Sequence, residues 1–274
     1  LNRDDVRVCV LTLEGTNCED ETVHAFASLG ANPEKVHLNQ LVRDPPGRHR
    51  TLEDYHALVL PGGFSSGDYV RAGAIWASRM RSGLRRDLRA FVEEGKPVVG
   101  ICNGFQALVE LGFLPGLGGE TDIPQASLAT NDSAHYECRP SLLRYENRGR
   151  CGPLARLPRD GILQAPSAHT EGKFTVPQGE EEAVWGALLE ADQLLFRYVD
   201  PEGAYAGYPW NPNGSLYNIA GVCNPEGNVL GLMPHPERSF SRYLHPDWTR
   251  SGEEGYGDGR LFFDSILTYV TEAF

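Results

Sequence analysis

Val98-Val99-Gly100-Ile101-Cys102-Asn103-Gly104-Phe105-Gln106 reads as a buried strand that runs directly into a helix. Apolar residues or glycine fill every position from 98 to 101, the pattern of a strand covered on both faces. Phe105, Leu108 and Val109, with Gly112 beyond them, mark the helix that follows. Gly100 and Gly104 flank Cys102 at two residues on either side, a G-x-C-x-G form of the nucleophile elbow. Glycines there let the chain turn sharply and lift the sulfur above a sheet. The amino end of the helix favours a thiolate at that point, and a thiolate is a competent nucleophile toward an amide carbonyl. The competing reading is a structural cysteine sealed at a strand end.

Outward from this segment the same alternation repeats. Residues 6–13 are apolar at nearly every position, and 19–29 carry Thr22, Ala25, Phe26 and Leu29 on one side, closed by Gly30. A short strand is expected over 35–38, a loop over 43–50, and a further buried strand over 57–60, ended by Pro61-Gly62-Gly63. Leu84, Leu88, Phe91 and Val92 form a helical stripe that Gly95-Lys96-Pro97 stops. Short apolar strands alternating with amphipathic helices predict an α/β fold with a mostly parallel central sheet flanked by helices. Sites in such sheets lie at the carboxyl ends of the strands, which singles out the residues after Leu60 and Ile101.

From 120 to 233 the pattern shifts to short alternating segments, which predicts an additional antiparallel β region. Residues 217–222 and 229–233 flank Asn224-Pro225-Glu226-Gly227-Asn228 and read as a hairpin. Glu180-Glu181-Glu182 reads as a solvated loop or strand end. Phe262, Ile266, Tyr269 and Val270 share a closing helical face. Without repeats or a low-complexity linker, one domain over 1–274 is expected.

The 274 residues carry 25 basic and 37 acidic side chains, a formal net charge of -12 that argues against a nucleic-acid partner, which needs a basic face. No run of 18 apolar residues predicts a membrane span. The first residues lack the basic-then-apolar pattern of a signal peptide. The cysteines at 9, 18, 102, 138, 151 and 223 form no C-x-x-C pair and suggest neither a zinc site nor a disulfide framework. A cytoplasmic chain with reduced thiols, and with no metal, is the expectation.

A thiolate attacking an amide needs an acid for the departing amine. Met233-Pro234-His235-Pro236-Glu237 supplies one. Pro236 biases His235 toward extended backbone, where residues two apart face the same side. Glu237 can then orient the His235 ring and stabilise the imidazolium. A proline-stiffened surface turn is the plain alternative. For the oxyanion, the amide of Asn103 and the Gly62-Gly63 turn are the candidate donors. Gln106, one helical turn past Cys102, can reach the substrate amide.

Read in order, these segments resemble the class I glutamine amidotransferases. More narrowly they resemble the PurQ family, the glutaminase subunit of phosphoribosylformylglycinamidine synthase. The likeness rests on Gly15-Thr16-Asn17-Cys18, Pro61-Gly62-Gly63-Phe64-Ser65, Gly67-Asp68-Tyr69, Arg71-Ala72-Gly73-Ala74, the Cys102 elbow, His169 with Glu171-Gly172, Asn211-Pro212-Asn213-Gly214-Ser215 and Met233-Pro234-His235-Pro236-Glu237-Arg238. It implies a flavodoxin-like fold, with Cys102 as nucleophile, His235 as acid and base, and Glu237 as its orienter. It implies oxyanion donors at Gly63 and Asn103, and L-glutamine beside Gln106, His169 and Glu171. It also implies a large PurL-type synthase subunit as partner, with a small third subunit. This chain would hold no cofactor; ATP and Mg would belong to the synthase, since no phosphate-binding loop is present here. Ser66 stands where the family has tyrosine. Thr170 stands where it has glycine, which would disfavour a left-handed backbone there. Extra length near 42–52, 178–192 and 239–258 reads as surface insertion. A glutaminase serving another synthase, a γ-glutamyl peptidase on the same scaffold and a silent regulatory subunit are the alternatives.

Overall fold

The computed structural model describes residues 1–43, 47–251 and 255–274. The expected loop over 43–50 and the insertions at 42–52 and 239–258 therefore lie partly outside the described residues. The strands are β1 (Arg7–Thr12), β2 (Asn32–His37), β3 (Ala57–Leu60), β4 (Val98–Ile101), β5 (Ser127–Thr130), β6 (Glu137–Tyr145), β7 (Ile162–His169), β8 (Glu171–Thr175), β9 (Leu194–Val199), β10 (Ile219–Cys223) and β11 (Val229–Leu232). The helices are α1 (Glu19–Ser28), α2 (Leu38–Val42), α3 (Ala74–Gly83), α4 (Arg85–Glu93), α5 (Asn103–Glu110), α6 (Glu181–Glu190), α7 (Trp248–Ser251) and α8 (Gly259–Ala273).

Nine strands form one sheet in the order β2-β1-β3-β4-β11-β10-β9-β6-β7. From β2 to β11 neighbours run parallel, and from β11 to β7 they run antiparallel. A two-stranded antiparallel sheet, β5 with β8, stands apart. β3, β4, β10 and β11 are buried along their whole length. Their near-continuous apolar runs follow from that two-sided burial. Helices α1 and α8 pack together, with Phe26 and Phe263 edge to face at 5.1 Å, and α3 packs on α5.

Two differences from the sequence reading stand out. Residues 181–190 form α6, so Glu181 and Glu182 open a helix rather than lying in a loop or strand end. Val184 and Leu188 are buried four residues apart on one face, so the acidic run ahead of them is the helix's first turn, where carboxylates suit the helix dipole. A loop histidine is the plain expectation for His169; instead it ends β7 and is buried. Among the described residues no helix is long and apolar enough to cross a membrane.

The topology sets the site. In the β4–β11 pairing Ile101 lies opposite Leu232, so the chain leaves both strands at the same end, carrying Cys102 and Met233-Pro234-His235. The Cys102 amide donates to the Leu232 carbonyl at 2.9 Å. The His235 amide donates to Pro166 of β7 at 2.8 Å, although three strands separate β7 from β11 in the sheet. The antiparallel half therefore curls back over the parallel half. At the elbow, a Cβ on Gly104 would stand 2.0 Å from the Leu60 carbonyl oxygen, and one on Gly100 would meet Leu108 and Gly104 at under 3 Å.

Gly104→Ala is expected to destabilise the fold by about 1–3 kcal/mol through this overpacking. Gly186→Ala, in α6 with open space around it, is expected to stabilise by about 0.4–1 kcal/mol. Chemical denaturation of the two variants beside the parent chain checks both signs.

Candidate active site

Cys102 sits at φ 50, ψ -106, in the left-handed region that costs a non-glycine residue of order 1–3 kcal/mol. It follows β4 directly and caps α5, and only a small part of it is exposed. The sulfur lies 3.9 Å from the Ala168 carbonyl of β7. Asn103 is the first residue of α5, so its amide has no carbonyl partner within the helix.

His235 has extended backbone, as Pro236 requires, but Glu237 does not continue it. Residues 236–239 form a 3₁₀ turn, and that turn, rather than an extended segment, swings the carboxylate back to the ring. Oε1 of Glu237 is 2.5 Å from Nδ1 of His235, with both side chains almost wholly buried. Burial is the largest single influence on the imidazole and opposes its charge. The attraction of Glu237 and Cys102, with hydrogen bonding to Cys102 and Cys18, outweighs it and raises the His235 pKa well above the ordinary value. Nε2 is left without a settled hydrogen bond inside the protein.

Cys18 is the residue sequence reasoning did not bring to the site. Its sulfur lies 3.8 Å from His235 Nδ1 and accepts from the Arg238 guanidinium at 3.2 Å. Burial raises the Cys18 thiol, against the pull of His235 and Arg238. The signal was available: Gly15-Thr16-Asn17-Cys18 leaves β1 beside β3, at the same sheet end. Cys18, His235 and Glu237 are also the group among the described residues whose donor atoms, within 4.8 Å of one another, could surround a metal. Their chemistry fits such an ion poorly. Nδ1 is already engaged by Glu237, and the Cys18 sulfur already accepts from the Arg238 cation.

A cleft of about 240 Å³ opens beside Cys102, lined by Gly63, Phe64, Asp68, Ala72, Gln106 and residues 168–171. Gly63 lines it at φ 144, packed against Thr16 and Asn17. Gly62 does not; it lies under the His235 ring, where an added Cβ would come 2.6 Å from Cε1. Gln106 lines the cleft with its amide engaged at both ends, accepting from Asn103 Nδ2 and donating to the Glu171 carbonyl. Glu171 Oε2 accepts from the Ala72 amide at 2.9 Å. His169 Nε2 accepts from Asn213 Nδ2 at 3.0 Å, which leaves the proton on Nδ1, and Nδ1 has no partner in the protein. Asn213, fully buried, is thus a positioning residue, although its motif carried no assigned role. Thr170 is exposed and has no positive φ, so glycine is not required there. Ser66 does take φ 53, next to Gly67 at φ 69 and Asp68 at φ 53.

Comparison with known proteins identifies the family. Residues 5–270 match the family model of the CobB/CobQ-like glutamine amidotransferase domain. A phosphoribosylformylglycinamidine synthase subunit PurQ from Archaeoglobus fulgidus is 50% identical over 98% of this chain and 99% of its own length. Its counterpart from Picrophilus torridus is 42% identical, covering 95% and 97%. A chain of the PurLQS structure from Thermotoga maritima superposes with a TM-score of 0.69 at 32% identity, covering 97% of this chain and 99% of that one.

Burial depresses the His169 pKa to about 3, with repulsion from His235 adding to the fall. The unfolded chain takes up a proton as pH drops below about 6.5, and the folded His169 does not. Its contribution to stability is therefore full above pH 6.5 and is lost as pH falls toward 3. Imidazole nitrogen NMR is expected to show His169 as a single neutral Nδ1–H tautomer from pH 5 to 8; titration within that window would contradict its burial.

Proposed function

The chain belongs to the family of phosphoribosylformylglycinamidine synthase subunit PurQ, and on that premise we propose that it hydrolyses L-glutamine to glutamate and ammonia and passes the ammonia to a synthase subunit. There it would serve the ATP-dependent conversion of formylglycinamide ribonucleotide to formylglycinamidine ribonucleotide, a step of purine biosynthesis. The observation that carries the reaction is a buried imidazole fixed at Nδ1 by Glu237 and interacting with the strained Cys102.

Cys102 attacks the carboxamide carbon, and the oxyanion is taken by the amides of Gly63 and Asn103. His235, held as imidazolium by Glu237, gives its proton from Nε2 to the departing ammonia. It then takes a proton from the water that opens the glutamyl thioester, and glutamate leaves. Gln106, His169 and Glu171 hold the substrate in the cleft. Gly62 serves the site indirectly, as the floor beneath His235. The fit of the family model to 5–270 supports reading residues 1–274 as one amidotransferase domain.

Ammonia in neutral water is mostly protonated and then cannot act as a nucleophile, so direct transfer to the acceptor is needed. The partner is a PurL-type synthase subunit, with a small third subunit, as the PurLQS assembly of Thermotoga maritima suggests. That subunit would hold ATP and Mg; this chain needs no cofactor for the hydrolytic step. The assembly works in the cytoplasm.

Cys102→Ala is expected to abolish glutamine hydrolysis, measured with and without the synthase subunit. Glu237→Gln should lower kcat by roughly 10² to 10⁴ by releasing the ring. A glutamine-mimicking diazoketone should modify Cys102 alone, sparing the exposed Cys138. Full turnover in the alanine variant would reject the assignment.

A further inference from the structure

The two amides assigned to the oxyanion belong to separate elements. Asn103 opens α5, whereas Gly63 lies in the loop that leaves β3. The contact of Gly104 with Leu60 brings the end of β3 to the helix, but Gly63 comes later along the chain. Beyond Gly63 the loop is strained: Ser66, Gly67 and Asp68 all have positive φ. Left-handed backbone at a serine and an aspartate persists only where the surrounding groups over-determine it.

One side chain spans that stretch. Asn103, wholly buried, accepts from the Ser65 amide through Oδ1 at 3.0 Å and donates from Nδ2 to Asp68 Oδ1 at 3.2 Å. One bond falls just ahead of the left-handed residues and the other on the last of them. The chain after β1 holds the loop from another side, with the Phe64 amide donating to Gly15 and the Ser66 amide to Glu14. Asn103 Nδ2 also donates to Gln106 Oε1 at 2.9 Å, and Gln106 Nε2 donates to the Glu171 carbonyl. A backbone N–H can only donate and a carbonyl can only accept, so the groups at the two ends of this series dictate which way both carboxamides point. A single run of hydrogen bonds therefore joins the loop after β3, the amino end of α5 and β8.

We propose that the Asn103 side chain is a positioning residue for the oxyanion hole, holding the Gly63 loop against the start of α5 and so fixing the separation of the two amide donors. This rests on reading Gly63 and Asn103 as those donors in a glutaminase. The carboxamide acts through backbone: it sets where the Gly63 and Asn103 amides stand before the oxyanion forms. Donors of this kind work by being in place in advance, and a displacement of about 1 Å costs on the order of 10²-fold in rate.

The test is Asn103→Ala in the full chain, assayed with the synthase subunit. This change keeps the residue's own amide and removes the bonds to Ser65, Asp68 and Gln106. Three measurements separate a loosened oxyanion hole from a general loss of structure. Glutamine turnover should show kcat lowered about 10- to 100-fold with KM within about fivefold of the parent. The aldehyde analogue of glutamine adds to the Cys102 sulfur and places its oxygen where the oxyanion forms; its affinity should fall in step with kcat. Iodoacetamide alkylates Cys102 by displacement, without an oxyanion, and its rate, followed by peptide mass spectrometry, should stay within about threefold. Asn103→Asp, of the same size, serves should the alanine variant fold poorly. It keeps an acceptor for Ser65 but sets a carboxylate against Asp68 and Gln106 Oε1, and the same split is expected. An unchanged kcat, or a fall in alkylation and aldehyde affinity alike, would overturn the proposal. A parent complex that hydrolyses glutamine no faster than Cys102→Ala would remove the glutaminase reading itself, whereas an active parent beside an equally active Asn103→Ala removes this inference alone.

Discussion

The site depends on how closely α5 begins to the end of β3. Between Gly104 and the Leu60 carbonyl there is no room for a side-chain carbon. With that contact in place α5 starts one residue after β4 ends, and Cys102 between them takes φ 50. The strain is sustained because the contacts around it are backbone against backbone, which do not yield as side chains do.

The second requirement is met by the chain's other half. β11 delivers His235 beside Cys102 by register alone, but the ring is held by groups from three further places. These are Glu237 on its own 3₁₀ turn, Pro166 of β7 on the backbone, and the Cys18 loop behind it. The antiparallel strands thus close the cleft that the parallel strands open. β7 and β8 bring His169 and Glu171 to a wall whose other residues come from the loops after β3 and from α5. Asn213 locks that wall by deciding which nitrogen of His169 carries the proton.

Much of this was legible in the residues. The buried strands gave themselves away as unbroken apolar runs, and the glycines around Cys102 marked the elbow without any knowledge of its neighbours. His235 and Glu237 were readable as a pair, though by the wrong local geometry, because a proline at 236 starts a 3₁₀ turn as readily as it extends a strand. What could not be read was anything depending on the curl of the sheet. The approach of Cys18 to His235, the burial of His169 and the service of Asn213 all join segments tens to hundreds of residues apart. α6 was missed for a different reason: its acidic first turn hides a two-residue apolar face, Val184 and Leu188, too sparse for periodicity to declare.

Gly62 leads to a last point. It offers no functional group and does not line the cleft, yet the His235 ring rests on it so closely that one methyl would collide with Cε1. A survey that replaces each polar side chain in turn would pass over this position and rank it as spacer. Some of the most exacting places are those where an atom must be missing, so a library built to probe activity should sample Gly62 beneath the imidazole as deliberately as Cys102, His235 and Glu237.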